Sequence, residues 1–194
     1  MSVSPNTDSR DATHNMVIVH NFCIDYNLKS GRFYIKSKET AICPICHDEL
    51  EVIGSRKRGV IEYEGSKKTL MIRRLYCKEC NRIHHELPDI IVPYKRYTAE
   101  AIEKMLSCSC SDTEDYCCET STIVRLKAWF FALRDYFQNA LVSLRAVYNY
   151  DTAICKKVSE IIPLQNYDQL STGWLKTLVR LLVNTNRWVQ TRSA

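Results

Sequence analysis

Two periodicities divide the chain. Between Leu50 and Cys77 the apolar positions fall in short alternating runs, "LEVIGS", "GVIEYEG" and "TLMIRRLYC", which predict three strands. "RKRG" reads as the turn between the first two and "EGSKK" as the turn before the third, with Gly54, Gly59 and Gly65 as turn glycines. From Thr98 the spacing becomes helical. Thr98 is a candidate N-cap for "AEAIEKML", which places Ala101, Ile102, Met105 and Leu106 on one side. After an acidic, cysteine-bearing loop, a helix of about 25 residues, or two joined, is expected to start at a Ser/Thr cap near Ser121. Its stripe is Ile123, Leu126, Phe130, Leu133, Phe137, Leu141, Leu144 and Tyr148. Two further helices are expected, over "DTAICKKVSEII", ended by Pro163, and over "STGWLKTLVRLLVNTNRWVQ". In the last, Trp174, Leu178, Leu181, Leu182 and Trp188 are apolar and Gly173 weakens the first turn. Helix packing accounts for these aromatic residues better than base stacking does.

The fold class this implies is α+β. A β-rich domain over residues 16–97 precedes an all-α region over 98–194, and the polar residues 1–15 read as a disordered leader. The N-terminus has no apolar core of a secretory signal, and no apolar run approaches the twenty residues of a membrane span. A cytoplasmic location is the expectation, with no membrane partner.

Cysteine changes the picture most. Ten cysteines without an export signal point to metal binding over disulfides. Cys43-Pro44-Ile45-Cys46 and Cys77-Lys78-Glu79-Cys80 have the spacing with which a tight turn aims two sulfurs at one ion. Two such turns supply a closed four-sulfur site that suits one structural Zn²⁺. The strands between the pairs would bring the two knuckles together as a zinc ribbon, and zinc would supply much of the stability of so small a unit. Asn81 after the second knuckle suits left-handed backbone; His47 after the first is less usual. His84 and His85 could replace a cysteine or touch phosphate, although a surface pair without a role is the plainer reading. Cys108, Cys110, Cys117 and Cys118 form a C-x-C-x6-C-C run that fits a mononuclear site poorly. Cys23 and Cys155 read as small buried residues.

Charge is unevenly spread. Residues 29–97 carry 15 Lys/Arg against 9 Asp/Glu, residues 98–122 carry 1 against 6, and residues 123–194 carry 10 against 4. Basic blocks on either side of an acidic stretch bias a protein toward polyanions. Arg56, Lys57 and Arg58 at the expected hairpin tip, with Lys67, Lys68, Arg73 and Arg74, are candidate phosphate contacts. "VPYKRY" adds Lys95 and Arg96, either as a phosphate-tracking element or as a packed linker. The two helices after Thr98 suggest a helix-turn-helix-like unit at about 98–137. Its second helix would offer Thr120, Ser121, Thr122, Arg125 and Lys127 to bases or phosphates. Two packed helices without that role fit the same pattern.

Catalytic signatures are missing. There is no H-E-x-x-H, no Walker loop and no nucleophile elbow, and no strand pattern after residue 98 to build a carboxylate-bearing nuclease core. A non-enzyme is expected.

The paired C-x-x-C motifs, the "RLYCKEC" approach to the second, "LPDIIVPYKRYTAE" after it, and Glu119 to Phe130 in "ETSTIVRLKAWF" carry a resemblance over residues 16–131. It is to small bacterial proteins of an uncharacterised domain, common in Firmicutes and often encoded beside insertion-sequence transposases. The resemblance implies a DNA-binding accessory protein of a mobile element. The alternative is an adaptor that docks a transposase or another subunit through its helical half. RNA is a weaker third candidate.

Overall fold

The computed structural model describes residues 16–107, 118–148 and 153–189. Six strands form one sheet: β1 (Met16–Val19), β2 (Phe22–Asn27), β3 (Arg32–Ser37), β4 (Glu51–Ile61), β5 (Lys67–Cys77) and β6 (Arg82–Pro88). The helices follow as α1 (Ala99–Ser107), α2 (Thr120–Val147), α3 (Ala153–Glu160) and α4 (Trp174–Asn184), with a short 3-10 helix at Leu164–Gln169. The chain is thus mixed α+β, a sheet followed by helices.

Strand β5 is the hub. One edge pairs antiparallel with β4, from Ile61↔Lys67 to Glu51↔Tyr76. The other edge is divided. Arg74–Cys77 pair antiparallel with β6, while Leu70 and Met71 pair parallel with β3. Strand β2 lies antiparallel on β3, and β1 lies parallel on β6.

The turn expected at "RKRG" is not there. Arg56, Lys57 and Arg58 lie in mid-strand, opposite Ile72, Met71 and Leu70. The chain reverses at residues 62–66 instead, where Glu62 N–H donates to Ser66 O at 2.9 Å and Gly65 takes φ 81°. The physical reason is that β5 offers a ladder partner along its whole length, and backbone hydrogen bonding overrides weak local turn signals. Among the described residues, apart from a bridge from Ile61 to Tyr97, β4 is paired only with β5. Charged side chains on such an edge block unwanted pairing with other strands. A bulge between Val52 and Gly54 further breaks its regularity.

Sheet and helices share one apolar core. Ile18, Leu70 and Ile72 of the sheet join Ile102 of α1, Phe130, Phe137 and Leu141 of α2, and Leu178 and Leu182 of α4. The stripe expected in α2 is the one buried, from Ile123 to Leu144. Thr98 caps α1 as expected, its hydroxyl accepting from Ala101 N–H at 3.2 Å. Two other helix starts differ from expectation. The N-cap of α2 is Glu119, whose side chain makes no cap bond, and Gly173 precedes α4 as its N-cap in left-handed backbone, φ 93°.

Two side chains lock α4 in place. Asn184 Oδ1 accepts from Ile18 N–H and its Nδ2 donates to Ile18 O, both at 2.8 Å, which closes the outer edge of β1. Glu103 of α1 accepts from Gly173 N–H at 2.9 Å and Leu175 N–H at 2.7 Å, and so caps α4 from another helix.

Candidate metal centre and basic track

The hairpins of the sheet bring the two cysteine pairs together. Cys43 and Cys46 sit in a turn closed by Cys43 N–H donating to Asp48 O at 2.8 Å and His47 N–H donating to Cys43 O at 3.0 Å. Cys77 ends β5, and Cys80 lies in the turn into β6. Each knuckle then turns left-handed at the residue after its second cysteine, His47 at φ 65° and Asn81 at φ 53°. Asn81 is held there by Tyr76, whose hydroxyl donates to Asn81 Oδ1 at 2.7 Å.

The four sulfurs lie within 4.8 Å of one another. The Cys43–Cys80 and Cys46–Cys77 pairs are 3.4 Å apart, and Cys46–Cys80 and Cys77–Cys80 are 3.3 Å apart. A tetrahedral site with Zn–S bonds of about 2.3 Å needs sulfurs about 3.8 Å apart, so a slight expansion accommodates the ion. None is at disulfide distance, and all four are free cysteines. Loss of hydration, reinforced by the neighbouring sulfurs, pushes the Cys80 thiol far above its ordinary pKa. Four crowded sulfurs cannot all be thiolates unless a cation offsets their charge. The donor set therefore fits Zn²⁺, with Cys43, Cys46, Cys77 and Cys80 as its ligands.

His84 belongs to this centre and is not a surface residue. It is fully buried, with Nε2 3.5 Å from Cys43 Sγ. Burial, then Arg82 and His85, lower its pKa and favour the neutral ring. A neutral imidazole with its proton on Nε2 can donate to the Cys43 sulfur, the kind of outer support that tunes metal ligands. The signal for this was its place opposite Leu75, itself fully buried. Cys23 is only half-buried, with its thiol 3.7 Å from Lys36 O. Of the other cysteine run, Cys118 packs at 3.9 Å from Met105 Sδ, while Cys108, Cys110 and Cys117 lie outside the described residues. The side chain of Cys155 does too.

The candidate phosphate contacts separate into two groups. In the first, the residues follow one another along one face of the sheet and into a groove beside α2. His85, paired with Arg74 across the β5–β6 ladder, has Nε2 3.2 Å from Arg56 Nη1. Arg58, two positions along the same face of β4, donates from Nη2 to Lys95 O at 2.7 Å. Lys95 and Arg96 then line a groove of about 370 Å³ with Tyr94, Tyr97, Thr122 and Arg125. Arg125 is held by its own helix, Nε donating to Ser121 O at 3.2 Å and Nη2 to Thr122 Oγ1 at 3.4 Å. Among the described residues none of Arg56, Arg58, Arg74, Lys95, Arg96 and Arg125 forms an ion pair. The local potential is positive. Burial, then Arg56 and Arg74, lower the pKa of His85; burial, then Arg56, lower that of Arg58; burial lowers that of Lys95. Lys95 Nζ also sits 4.3 Å over the Trp129 ring, a cation–π contact that fixes it.

The second group is engaged elsewhere or stands apart. Arg73 forms a two-pronged pair with buried Glu86, and Lys68 pairs with Glu62 at 2.6 Å. Lys57 points from the opposite face of β4 to Arg56 and Arg58, and Lys67 is exposed where β5 begins. Thr120 and Ser121 are exposed at the start of α2, where Ser121 donates to Glu119 at 3.1 Å, and Lys127 is half-buried further along the helix.

A family model described as a domain of unknown function (DUF6431) matches residues 43–126, from the first metal-site cysteine to one residue past Arg125. No curated protein and no solved structure matches the chain.

Proposed function

We propose that this is a non-catalytic DNA-binding protein whose sheet is pinned by one structural zinc ion. The observation that carries the reading is the series Arg74, His85, Arg56, Arg58, Lys95, Arg96 and Arg125, whose cations have no paired carboxylate among the described residues. A row of unpaired cations across sheet, linker and helix matches the repeating charge of a nucleic-acid backbone. Knuckles at the ends of paired strands support the zinc-ribbon description. The α1–α2 pair, with Thr122 and Arg125 beside the groove, supports a helix-turn-helix-like role for the start of α2. The resemblance to proteins encoded beside transposases supports a role for this activity in a mobile element, in transposition or its regulation, and a cytoplasmic location is part of the proposal.

The test is binding of a fluorescein-labelled duplex followed by anisotropy across a salt series. Each phosphate contact contributes a slope of about 0.9 in the log–log plot. An Arg74→Gln/Arg96→Gln/Arg125→Gln variant should lower the slope by about 2 to 3 and weaken binding to every duplex. An unchanged slope in the folded variant refutes the track as the interface.

One observation favours a second reading, an adaptor for a transposase or other protein. Val124, Phe131 and Val142 recur at helical spacing along one line of α2 and are each about half exposed. Failure of DNA binding with retention of a partner through α2 would select it.

A further inference from the structure

A second cavity lined by described residues lies away from the basic track. It has a volume of about 510 Å³, within the range of small-molecule sites. One wall is the polar stripe of α4, with Lys176, Thr177 and Arg180 at helical spacing; the opposite core stripe of the same helix is buried. The other walls include His20, from the turn between β1 and β2, His47, beside the first cysteine knuckle, Asp89, just after β6, and the pair Tyr148 and Leu181.

Three carboxylate contacts organise this cavity. Asp89 is almost completely buried, and its Oδ2 lies 2.5 Å from Nδ1 of His20, whose side chain is 63% exposed. With the proton on Nδ1 facing the carboxylate, Nε2 is the ring atom left to accept a hydrogen bond. Glu39 Oε1 accepts from the backbone N–H groups of His20 and Asn21, at 3.0 and 2.5 Å. The same carboxylate receives Arg180 Nη2, at 3.2 Å to Oε2. Arg180 Nη2 also reaches Glu39 Oε1 at 3.4 Å, and among the described residues Arg180 has no hydrogen-bond partner besides Glu39, so its Nη1 and Nε donors are uncommitted. Lys176 makes no ion pair among them and also borders a smaller acidic cavity with Glu62, Glu64 and Glu100.

Docking of α4 against the sheet requires Glu39 and Asn184, but it does not require an exposed imidazole oriented by a buried carboxylate. Nor does it require a guanidinium with spare donors. We propose that this cavity binds a small organic anion that also carries a hydroxyl group. Arg180, assisted by Lys176, takes the charge; His20, held by Asp89, accepts from the hydroxyl; and Tyr148 and Leu181 cover the apolar body. An apolar cavity with a few convergent polar groups is the usual form of such a site, and a buried carboxylate that fixes a ring is the usual means of presenting an imidazole acceptor.

The probe is 4-hydroxybenzoate, titrated into the zinc-loaded full chain and followed by NMR shifts of the His20 ring and the Thr177 amide. Saturable shifts in the millimolar range are expected. The neutral isostere 4-hydroxybenzamide and the hydroxyl-free benzoate should each bind about ten-fold more weakly. Arg180→Gln breaks the Glu39 pair as well as removing the charge, so Glu39→Gln is the control: it loses the pair and keeps the guanidinium. Binding lost in Arg180→Gln and retained or tightened in Glu39→Gln supports the site. Equal loss in both folded variants, equal binding of the neutral amide, or no saturable shift overturns it. DNA affinity measured on the same samples reports separately on the basic track.

Discussion

Arg73 and Glu86 form a bidentate ion pair, 2.5 Å at each prong, with the carboxylate fully buried and the guanidinium about a quarter exposed. The neighbouring Arg74 has no ion pair among the described residues and shares a face with His85 and Arg56. Two adjacent arginines therefore have separate tasks. Arg73→Met leaves a buried carboxylate without its partner and should cost about 3 kcal/mol of stability. Its DNA salt slope should stay at the wild-type value. Arg74→Gln should leave stability within about 0.5 kcal/mol and lower the slope. Urea denaturation beside anisotropy separates the two, and an Arg73 variant as stable as wild type would contradict the assignment.

Metal removal is expected to loosen the knuckle end of the sheet first. Cys43 and Cys46 are tied to β5 and β6 chiefly through the four-sulfur site, whereas β1 and the helices hold a separate, extensive part of the core. Mass spectrometry under native conditions should show one zinc per chain. A strong chelator should remove it with loss of amide protection around residues 41–53 and 74–84, while the interior of α2 keeps its protection. Uniform loss of protection would mean that the metal supports the whole fold.

His84→Ala should weaken zinc binding by about ten- to a hundred-fold without removing a ligand. The expectation rests on the 3.5 Å approach of Nε2 to Cys43 Sγ from a fully buried position. Competition with a chromophoric chelator measures it. His85→Ala is the matched control, because His85 contacts Arg56 and lies on the other side of the strand. Equal effects from the two substitutions would remove His84 from the metal centre.

The helical half was legible because its information is local. A stripe at three- and four-residue steps from Ile123 to Leu144 needs no distant partner to be read, and that is the stripe buried in α2. The four clustered cysteines that could hold a metal ion were legible because two-residue spacing encodes the turn itself. Strands β1, β2, β3 and β6 were not read, and β4 was read as two strands. Met16–Val19 is only four residues long, and its place is set by parallel pairing with β6, some seventy positions away, an arrangement without a local signal. "RKRG" misled for a related reason, since three cations and a glycine look like a turn until a long partner strand is known to lie beside them. The basic track combines both cases. Most of its members were visible as charges, but their alignment depends on β4 running straight through Arg56 and Arg58.

Glu103 gives a pH signature. Burial raises its pKa above the ordinary value of 4.5, more than the two backbone N–H groups of α4 and the nearby Lys176 lower it. A carboxyl whose folded pKa exceeds its unfolded pKa binds its proton more tightly when folded. Its contribution is full below about 4.5 and is lost as pH rises through the folded value. Glu103→Gln keeps an oxygen acceptor for one of the two N–H groups and cannot ionise, so the loss of the other bond is a pH-independent offset. The stability of the variant relative to wild type should therefore rise as pH increases above about 4.5. Denaturation at several pH values measures this, and a difference that is flat or falls with pH would show that the helix N-terminus outweighs burial at this carboxylate.

The straightness of β4 makes its three central cations unequal. Arg56 and Arg58 share one face with Leu70 and Ile72 as their cross-strand partners, and Lys57 takes the other. Had the segment been a hairpin tip, all three would project together and contribute alike to DNA binding. On the strand, Arg56 is joined to His85 and Arg58 to the Lys95 carbonyl, so only these two belong to the track. Arg56→Gln/Arg58→Gln should weaken duplex binding at moderate salt by about ten-fold or more, lowering the salt slope by about 2. Lys57→Gln should change affinity by less than about two-fold. Circular dichroism is needed alongside, because Arg58 also holds the linker through its hydrogen bond. If Lys57→Gln weakens binding as much as either arginine substitution does, then DNA approaches the opposite face of the sheet, and the groove beside α2 is not its path.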